Sequence, residues 1–474
     1  MEDGYDSVMT FPPSWDPLVA SVLGAHRSWE ATWPAFSTDA SLGLTDEVWA
    51  RATVELSDRL RENYPHFHPL YAGQMLKPPH PAAVVGYLAA MLINPNNHAL
   101  DGGRATARLE KESVAALAAM FGFEGDTFMG HLTASGTVAN LEALWVAREL
   151  HPTMEHAVVV SSEAHYTHKR MCALLRVPCI EIPATPEGTL DLELLDAVLE
   201  TKKVGTVVAT LGTTALGALD PLVEILARKK KHGFRVHVDA AYGGYFRLLA
   251  DEQPLLAPFR VTAEADSVVV DPHKHGLQPY GCGSVLFRDR SLGALYAHAS
   301  PYTYFSSPEH HPGETTLECS RAGAAAAALW LTLRGMPLVR GGAMAAMLTR
   351  CLEAARAFAR ELPRAGYAVH LPPRLDIVTY FPVRGSLSAI TLATERVWRG
   401  AMEGSPPLYL AKLVVNAEGF CKIHPAIQRD AESVTILRSC LMRPEQADWA
   451  ARLVDRLSAV LLDSSHADSS RRHA

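Results

Sequence analysis

Apolar residues in the middle of the chain fall into two kinds of stretch. Over 109–121 and 138–150 they recur every three or four positions, which predicts helices. Ala157-Val158-Val159-Val160, Ile180-Glu181-Ile182, Thr206-Val207-Val208-Ala209-Thr210, Val236-His237-Val238-Asp239 and Ser267-Val268-Val269-Val270 are short, largely β-branched runs of strand length. Unbroken apolar runs of this kind belong to strands buried on both faces, as in parallel sheets. Helical patterns over 165–175, 192–202 and 222–232 separate them. The alternation predicts βαβ units in a three-layer α/β region over 106–340, with 284–287 as an antiparallel strand. Residues 130–137 read as a turn of small side chains.

Outside this region the pattern changes. Residues 1–105 read as an N-terminal arm without sustained periodicity to about 40, then helices over 47–64 and 81–92; the arm is expected either to pack against a second subunit or to form an irregular surface segment. From 341 to 463 the chain predicts a smaller α+β region: a long helix, short strands at 377–381 and 434–437, and a last helix near 445–462. The polar tail 464–474 reads as disordered. At 474 residues, two or three such units are expected.

Composition narrows the functional classes. A 48% hydrophobic and 20% charged chain is an ordinary soluble globular one, and a net charge of −7 with no basic block excludes nucleic acid as the main partner. The longest apolar run, 322–333, is too short and alanine-rich to span a bilayer, so no membrane partner is expected. The acidic opening Met1-Glu2-Asp3-Gly4-Tyr5-Asp6 does not resemble a secretory signal. Seven cysteines without a C-x-x-C pair point to free thiols in a reducing cytoplasm. His66 and His68 have no third ligand nearby, so no metal is expected.

The chemistry gathers at strand ends. Asp271-Pro272 stops the valine-rich strand, and Lys274 follows at the carboxyl edge of the sheet, where open α/β folds place ligands. There a lysine can be partly desolvated and react with an aldehyde, which is what a pyridoxal phosphate Schiff base requires. Ser135-Gly136-Thr137 opens a helix, so hydroxyls and free backbone N–H groups can converge on a phosphate. Asp239 ends a strand and can pair with a protonated pyridine nitrogen. His165 rises at the same edge and can stack on a flat ring, while Gly212-Thr213-Thr214 supplies hydroxyls. Each has an ordinary alternative: a surface lysine, an N-cap, a turn-capping aspartate, a core histidine. Their shared position at successive strand ends favours one site.

In this order, His131-Leu132-Thr133-Ala134-Ser135-Gly136-Thr137, Ala164-His165-Tyr166-Thr167-His168-Lys169, Ala209-Thr210-Leu211-Gly212-Thr213-Thr214, His237-Val238-Asp239-Ala240-Ala241-Tyr242-Gly243-Gly244 and Asp271-Pro272-His273-Lys274 resemble the pyridoxal phosphate-dependent group II amino-acid decarboxylases. Leu317-Glu318-Cys319-Ser320-Arg321-Ala322-Gly323 is most similar to the bacterial and archaeal tyrosine decarboxylases. The resemblance covers roughly 60–340. It implies a type I, aspartate aminotransferase-like fold and a cytoplasmic homodimer with sites at the interface. It also implies a carboxy-lyase that converts an L-amino acid, with a lean to an aromatic one, to its amine and carbon dioxide. Lys274 would carry the cofactor, Asp239 would face the pyridine nitrogen, and His165 and Ala241 would cover the two ring faces. Ser135, Gly136, Thr137, Thr214 and His273 would hold or flank the phosphate.

Two departures stand out. Relatives use a loop tyrosine to return a proton to the substrate carbon, but residues 306–316 contain none. His310 and His311 stand there instead, with Tyr304 just before, and a histidine titrates near neutrality and can serve as the acid. Loss of the loop tyrosine also opens an alternative, decarboxylation-coupled oxidative deamination to an aldehyde. His275 replaces the Trp or Met of many relatives. Tyr71, Asn97, His98 and Tyr304 are the expected substrate contacts; Arg104 and Arg438 keep a glutamate or aspartate substrate open. A non-catalytic binding module and a sphingosine phosphate-type lyase are the competing classes.

Overall fold

The protein is described from a computed structural model covering residues 15–151, 155–297 and 311–471, with side chains to 462. Twelve strands occur among these residues: β1 (Tyr71–Ala72), β2 (Met129–Thr133), β3 (Ala157–Ser161), β4 (Cys179–Ile182), β5 (Val204–Thr210), β6 (Arg235–Asp239), β7 (Ser267–Val270), β8 (Gly283–Phe287), β9 (Tyr367–Leu371), β10 (Ile377–Pro382), β11 (Tyr409–Asn416) and β12 (Ser433–Cys440).

Seven of them form one sheet in the order β2-β8-β7-β6-β5-β3-β4. β3 to β7 run parallel, and β8 lies antiparallel to both of its neighbours. Val268, Val269 and Val270 have no exposed surface, as two-sided burial requires. Helices such as Gly136–Glu149, Thr167–Leu175 and Leu222–His232 connect and cover the strands. The carboxyl ends of β3, β5, β6 and β7 therefore open on one edge. That edge carries the site.

Residues 130–137 depart from the expected turn, because Met129–Thr133 pairs with β8 as an edge strand. Gly130 permits the pairing: a Cβ there would stand 2.9 Å from the Val285 carbonyl. The alternation signal failed because Gly130 and His131 interrupt the apolar run.

The second sheet runs β1-β11-β12-β10-β9. Its outer strand β1 comes from the N-terminal part of the chain and pairs parallel with β11, Tyr71 opposite Tyr409. Gln446 secures the junction by donating to the carbonyls of Pro69 and Tyr71 at 3.0 and 3.1 Å. The last helix, Gln446–Arg471, runs past the expected disordered boundary at 464. No glycine or proline interrupts 446–471 to stop it.

Helix Asp16–Glu30 occupies the stretch read as aperiodic, and helix Asp46–Leu60 follows it. Neither contains a buried residue, and Trp33, Phe36 and Trp49 are largely exposed.

Candidate active site

A cavity of about 260 Å³ lies at the carboxyl edge of the first sheet, just below the size of typical small-molecule sites at about 300–1,000 Å³. Ser135, Gly136, Thr137, His165, Thr214, Asp239, Ala241, His273 and Lys274 all line it. The fold thus brings together, from five strand ends, the whole set read as cofactor-binding.

Each is positioned by local structure. Ser135 caps helix Gly136–Glu149, its hydroxyl accepting the Val138 N–H at 3.3 Å. Gly136 is obligatory, since a Cβ there would come within 2.6 Å of Asp271 Oδ2. Gly212 has φ of +107° and abuts Gly243, so the β5 and β6 turns approach at backbone distance. Lys274 Nζ lies 3.1 Å from Asp271 Oδ2, and the lysine side chain is 22% exposed. His273 packs its ring on Tyr280, centroids 4.8 Å apart. The Nδ1 of His165 accepts the Thr167 N–H at 3.3 Å, leaving the imidazole at the cavity wall.

Electrostatics divide the site into a neutral wall and a charged floor. Burial holds His165 and His273 below the usual imidazole range, so both are neutral near pH 7. Burial would raise Asp239, but the His168 hydrogen bond and charge, with the Ala241 N–H, outweigh it and hold the carboxyl well below its usual range. His168 Nε2 reaches Asp239 Oδ2 at 2.8 Å, and the Ala241 N–H reaches Oδ1 at 3.1 Å.

Behind Lys274, His275 and Asp376 have no exposed surface, with Nε2 3.2 Å from Oδ2. Tyr242, which lines the cavity, donates to Asp376 Oδ1 at 2.6 Å. His275 thus ties the lysine turn to the start of β10 in the second sheet.

These features fit pyridoxal phosphate. Thr210 Oγ1, Asp271 Oδ1 and His273 Nδ1 belong to lining residues and are buried without a protein partner among the described residues. A polar ligand satisfies such atoms. The helix start and hydroxyls suit a phosphate, the anionic Asp239 suits a pyridinium, and Lys274 suits an aldehyde.

The expected substrate contacts fare differently. Asn97 is buried away from the cavity: its amide donates to Glu110 at 2.6 Å and accepts from Thr106 at 2.6 Å, so it is a structural link. Tyr71 packs among Tyr64, His66 and Tyr409, and His98 sits against Cys319, Sγ to Nδ1 3.6 Å; neither lines the cavity. His311 is a helix cap whose Nδ1 accepts the Leu100 N–H at 3.0 Å, and it is not among the residues lining the cavity. His310 and Tyr304 lie outside the described residues. Arg104 is exposed on its helix.

Sequence reasoning missed Asn140, Asp271, Tyr242 and His168. Asn140 falls one helical turn after Gly136 and lines the same wall, a spacing that was available to find it. His168 stood inside a quoted motif without a task. Nothing local links it to Asp239.

Comparison with known proteins agrees with this geometry. The pyridoxal-dependent decarboxylase conserved domain matches residues 60–372. The chain is 27% identical to an L-tyrosine decarboxylase of Enterococcus faecium, over 75% of this chain and 76% of that protein. It is 26% identical to an L-aspartate decarboxylase of Thermococcus kodakarensis, over 69% of this chain and 83% of that one. Among solved structures, Oryza sativa TDC with PLP and tryptamine superposes with a TM-score of 0.75 at 18% identity, covering 94% of this chain and 99% of the other. The glutamate decarboxylase domain of a Vibrio parahaemolyticus diaminobutyrate-pyruvate transaminase and L-2,4-diaminobutyrate decarboxylase gives 0.72 at 18%, covering 98% of both. At such identities the likeness is one of fold, the type I fold of pyridoxal phosphate enzymes. The chain belongs to the pyridoxal-dependent decarboxylases, and it is an amino-acid carboxy-lyase with pyridoxal phosphate as its cofactor.

Proposed function

We propose that the substrate is an aromatic L-amino acid, released as its amine and carbon dioxide, and that the active unit is a cytoplasmic homodimer. The observation that carries the substrate reading is charge. Among the described residues Lys274 is the one lysine or arginine lining the cavity. Arg438 comes nearest as a second cation, yet it already donates to the carbonyls of Ala215 and Thr214 at 3.0 and 2.5 Å and to Gln74 at 3.2 Å. A cleft of about 530 Å³ follows Thr214 at Ala215 and carries Glu163, Glu181 and Glu418 against Lys422 and His370. Such surroundings disfavour an acidic side chain. The resemblance to an L-tyrosine decarboxylase supports the same choice.

Pyridoxal phosphate, when bound, supplies the electron sink that carbon dioxide loss requires. Lys274 would retain the aldehyde carbon until a substrate amine takes its place. Asp239 would hold a proton on the ring nitrogen. Ser135, Gly136 and Thr137 would take the phosphate at the helix start, with Thr214 and His273 beside it. His165 and Ala241 would cover the two faces and exclude water. The acid that returns a proton to the substrate carbon would come from the loop 306–316, with His310 its remaining histidine candidate.

The free cysteines suit a reducing compartment, and no helix among the described residues is long and apolar enough to cross a membrane. The exposed Trp33, Phe36 and Trp49, on a stretch that has no buried residue over the described positions 15–60, support burial against a second subunit.

The test is turnover with L-tyrosine, L-phenylalanine, L-tryptophan, L-aspartate and L-glutamate, following amine, carbon dioxide and peroxide. Aromatic substrates should exceed the acidic pair by on the order of 100-fold in kcat/KM, with amine matching carbon dioxide and no peroxide. Preference for aspartate or glutamate would overturn the substrate; aldehyde with peroxide would assign the oxidative course.

A further inference from the structure

The charge that Asp239 presents to the cofactor depends on its neighbours beneath the cavity. His168 has no exposed surface and directs Nε2 at Asp239 Oδ2, 2.8 Å away. A carboxylate only accepts, so His168 is the donor. Asn140 Nδ2 approaches the same oxygen at 3.5 Å. Oδ1 receives the Ala241 N–H at 3.1 Å, which leaves it further acceptor capacity toward the cavity.

Asn140 is itself held. His237 lies between Ser267 Oγ, 2.9 Å from Nδ1, and Asn140 Oδ1, 2.7 Å from Nε2. Burial keeps His237 neutral, its pKa lowered to about 3. Since the amide oxygen only accepts, His237 donates from Nε2 and accepts the serine O–H at Nδ1. That order turns the Asn140 amide so that its N–H groups face Asp239.

His165 and His168 stand three residues apart, at the turn where helix Thr167–Leu175 begins. One turn therefore furnishes both the wall of the cavity and the support under its carboxylate.

We infer that His168 is a positioning residue: through its hydrogen bond to Oδ2 it holds Asp239 ionised and aims Oδ1 at the cofactor's ring nitrogen. The groups that titrate or carry charge around Asp239 are His168 from the helix after β3, His237 from its own strand, His165 from the β3 turn, and Lys274 and Asp271 from the β7 turn. Of these, His168 alone makes a close side-chain hydrogen bond to the carboxylate. The inference rests on the placement of Asp239 at the ring nitrogen proposed above.

The experiment compares wild type, His168→Phe, His168→Gln and Asp239→Asn. Three quantities are read: cofactor affinity of the apo chain by fluorescence titration, the pH dependence of the bound cofactor's absorbance, and kcat. Removing a hydrogen bond to a charged group should weaken cofactor binding by on the order of tenfold or more in His168→Phe. The absorbance titration should shift in the same direction as in Asp239→Asn. His168→Gln places an N–H donor near the same point and should recover most of the affinity. A purely structural role would instead lower the melting temperature of the apo chain and leave the absorbance titration in place, which overturns the inference.

If His168→Phe does not fold, His168→Gln decides together with the imidazole nitrogen shifts of the wild-type apo chain. A His168 resonance that fails to move in Asp239→Asn refutes the hydrogen bond. An effect in Asp239→Asn with both His168 variants at wild-type values overturns this inference alone. Wild-type cofactor affinity and titration in Asp239→Asn overturn the ring-nitrogen placement as well.

Discussion

Two buried aspartates close neighbouring parts of the same sheet and meet opposite fates. Asp239 ends β6, and Asp220 folds back on the end of β5; both are almost wholly buried. Among the described residues Asp220 is held by backbone alone, the N–H groups of Leu190 and Thr210 each reaching it at 2.7 Å. Burial dominates there, with the nearby charge of Glu163 adding to it, and its pKa is pushed up to about 7. Asp239 suffers the same desolvation, but the imidazole of His168 reverses the outcome. Backbone donors fix a carboxylate in space; a basic side chain also fixes its charge. The first arrangement builds a turn. The second prepares a site for chemistry.

The largest effect expected from this contrast is on stability against pH. A carboxyl whose folded pKa stands above its unfolded value contributes most stability below about pH 4 and loses it as pH rises toward 7. At about 1.4 kcal/mol for each pH unit between the two titrations, Asp220 accounts for about 4 kcal/mol of decline across that window. Asp239, lowered rather than raised, contributes stability above the ordinary carboxylate range and loses it only as pH falls below about 4. Urea unfolding from pH 4 to 7 should therefore show a downward slope that Asp220→Asn flattens and Asp239→Asn does not. Equal slopes in wild type and Asp220→Asn would break the contrast.

Activity sharpens it from the other side. Asp239→Asn keeps the shape but removes the charge, and should lower kcat by on the order of 10²–10³-fold, the usual cost of losing one preorganised electrostatic contact. Asp220→Asn should leave kcat within about threefold, in keeping with a group that touches no reacting atom. Comparable losses in both would mean that backbone-held and side-chain-held carboxylates do not differ in kind.

The smallest expected effect concerns His311, another group whose partner is backbone. His311→Ala loses the cap on Leu100 and should cost about 1 kcal/mol of stability while leaving the ratio of amine to aldehyde unchanged. A changed product ratio, measured by mass spectrometry, would return His311 to the proton-transfer step.

These cases also mark how far the chain could be read unaided. Lys274, Asp239, His165, Ser135, Gly136, Thr137 and Thr214 could be placed at one cavity from the sequence because each follows a recognisable strand or opens a recognisable helix. Position along a βαβ pattern then predicts position at the sheet edge. Asn97, Tyr71, His98 and His311 stand outside the lining of this cavity; polarity alone does not tell a ligand contact from a structural hydrogen bond. Asn97 satisfies Glu110 and Thr106 instead of a substrate. The edge strand Met129–Thr133 was missed because its partner, β8, lies far along the chain.

The sequence by itself determined the alternation of strands and helices, the burial of the valine-rich β7, and the order of chemical groups that names the cofactor. These follow from local spacing and side-chain character, which folding preserves. Only the tertiary structure decided which polar groups meet. His168 and Asp239 are 71 positions apart, and Asn140 and Asp239 are 99 apart. The charge on Asp239 is a balance between desolvation and those distant partners, and neither quantity exists until the chain has packed.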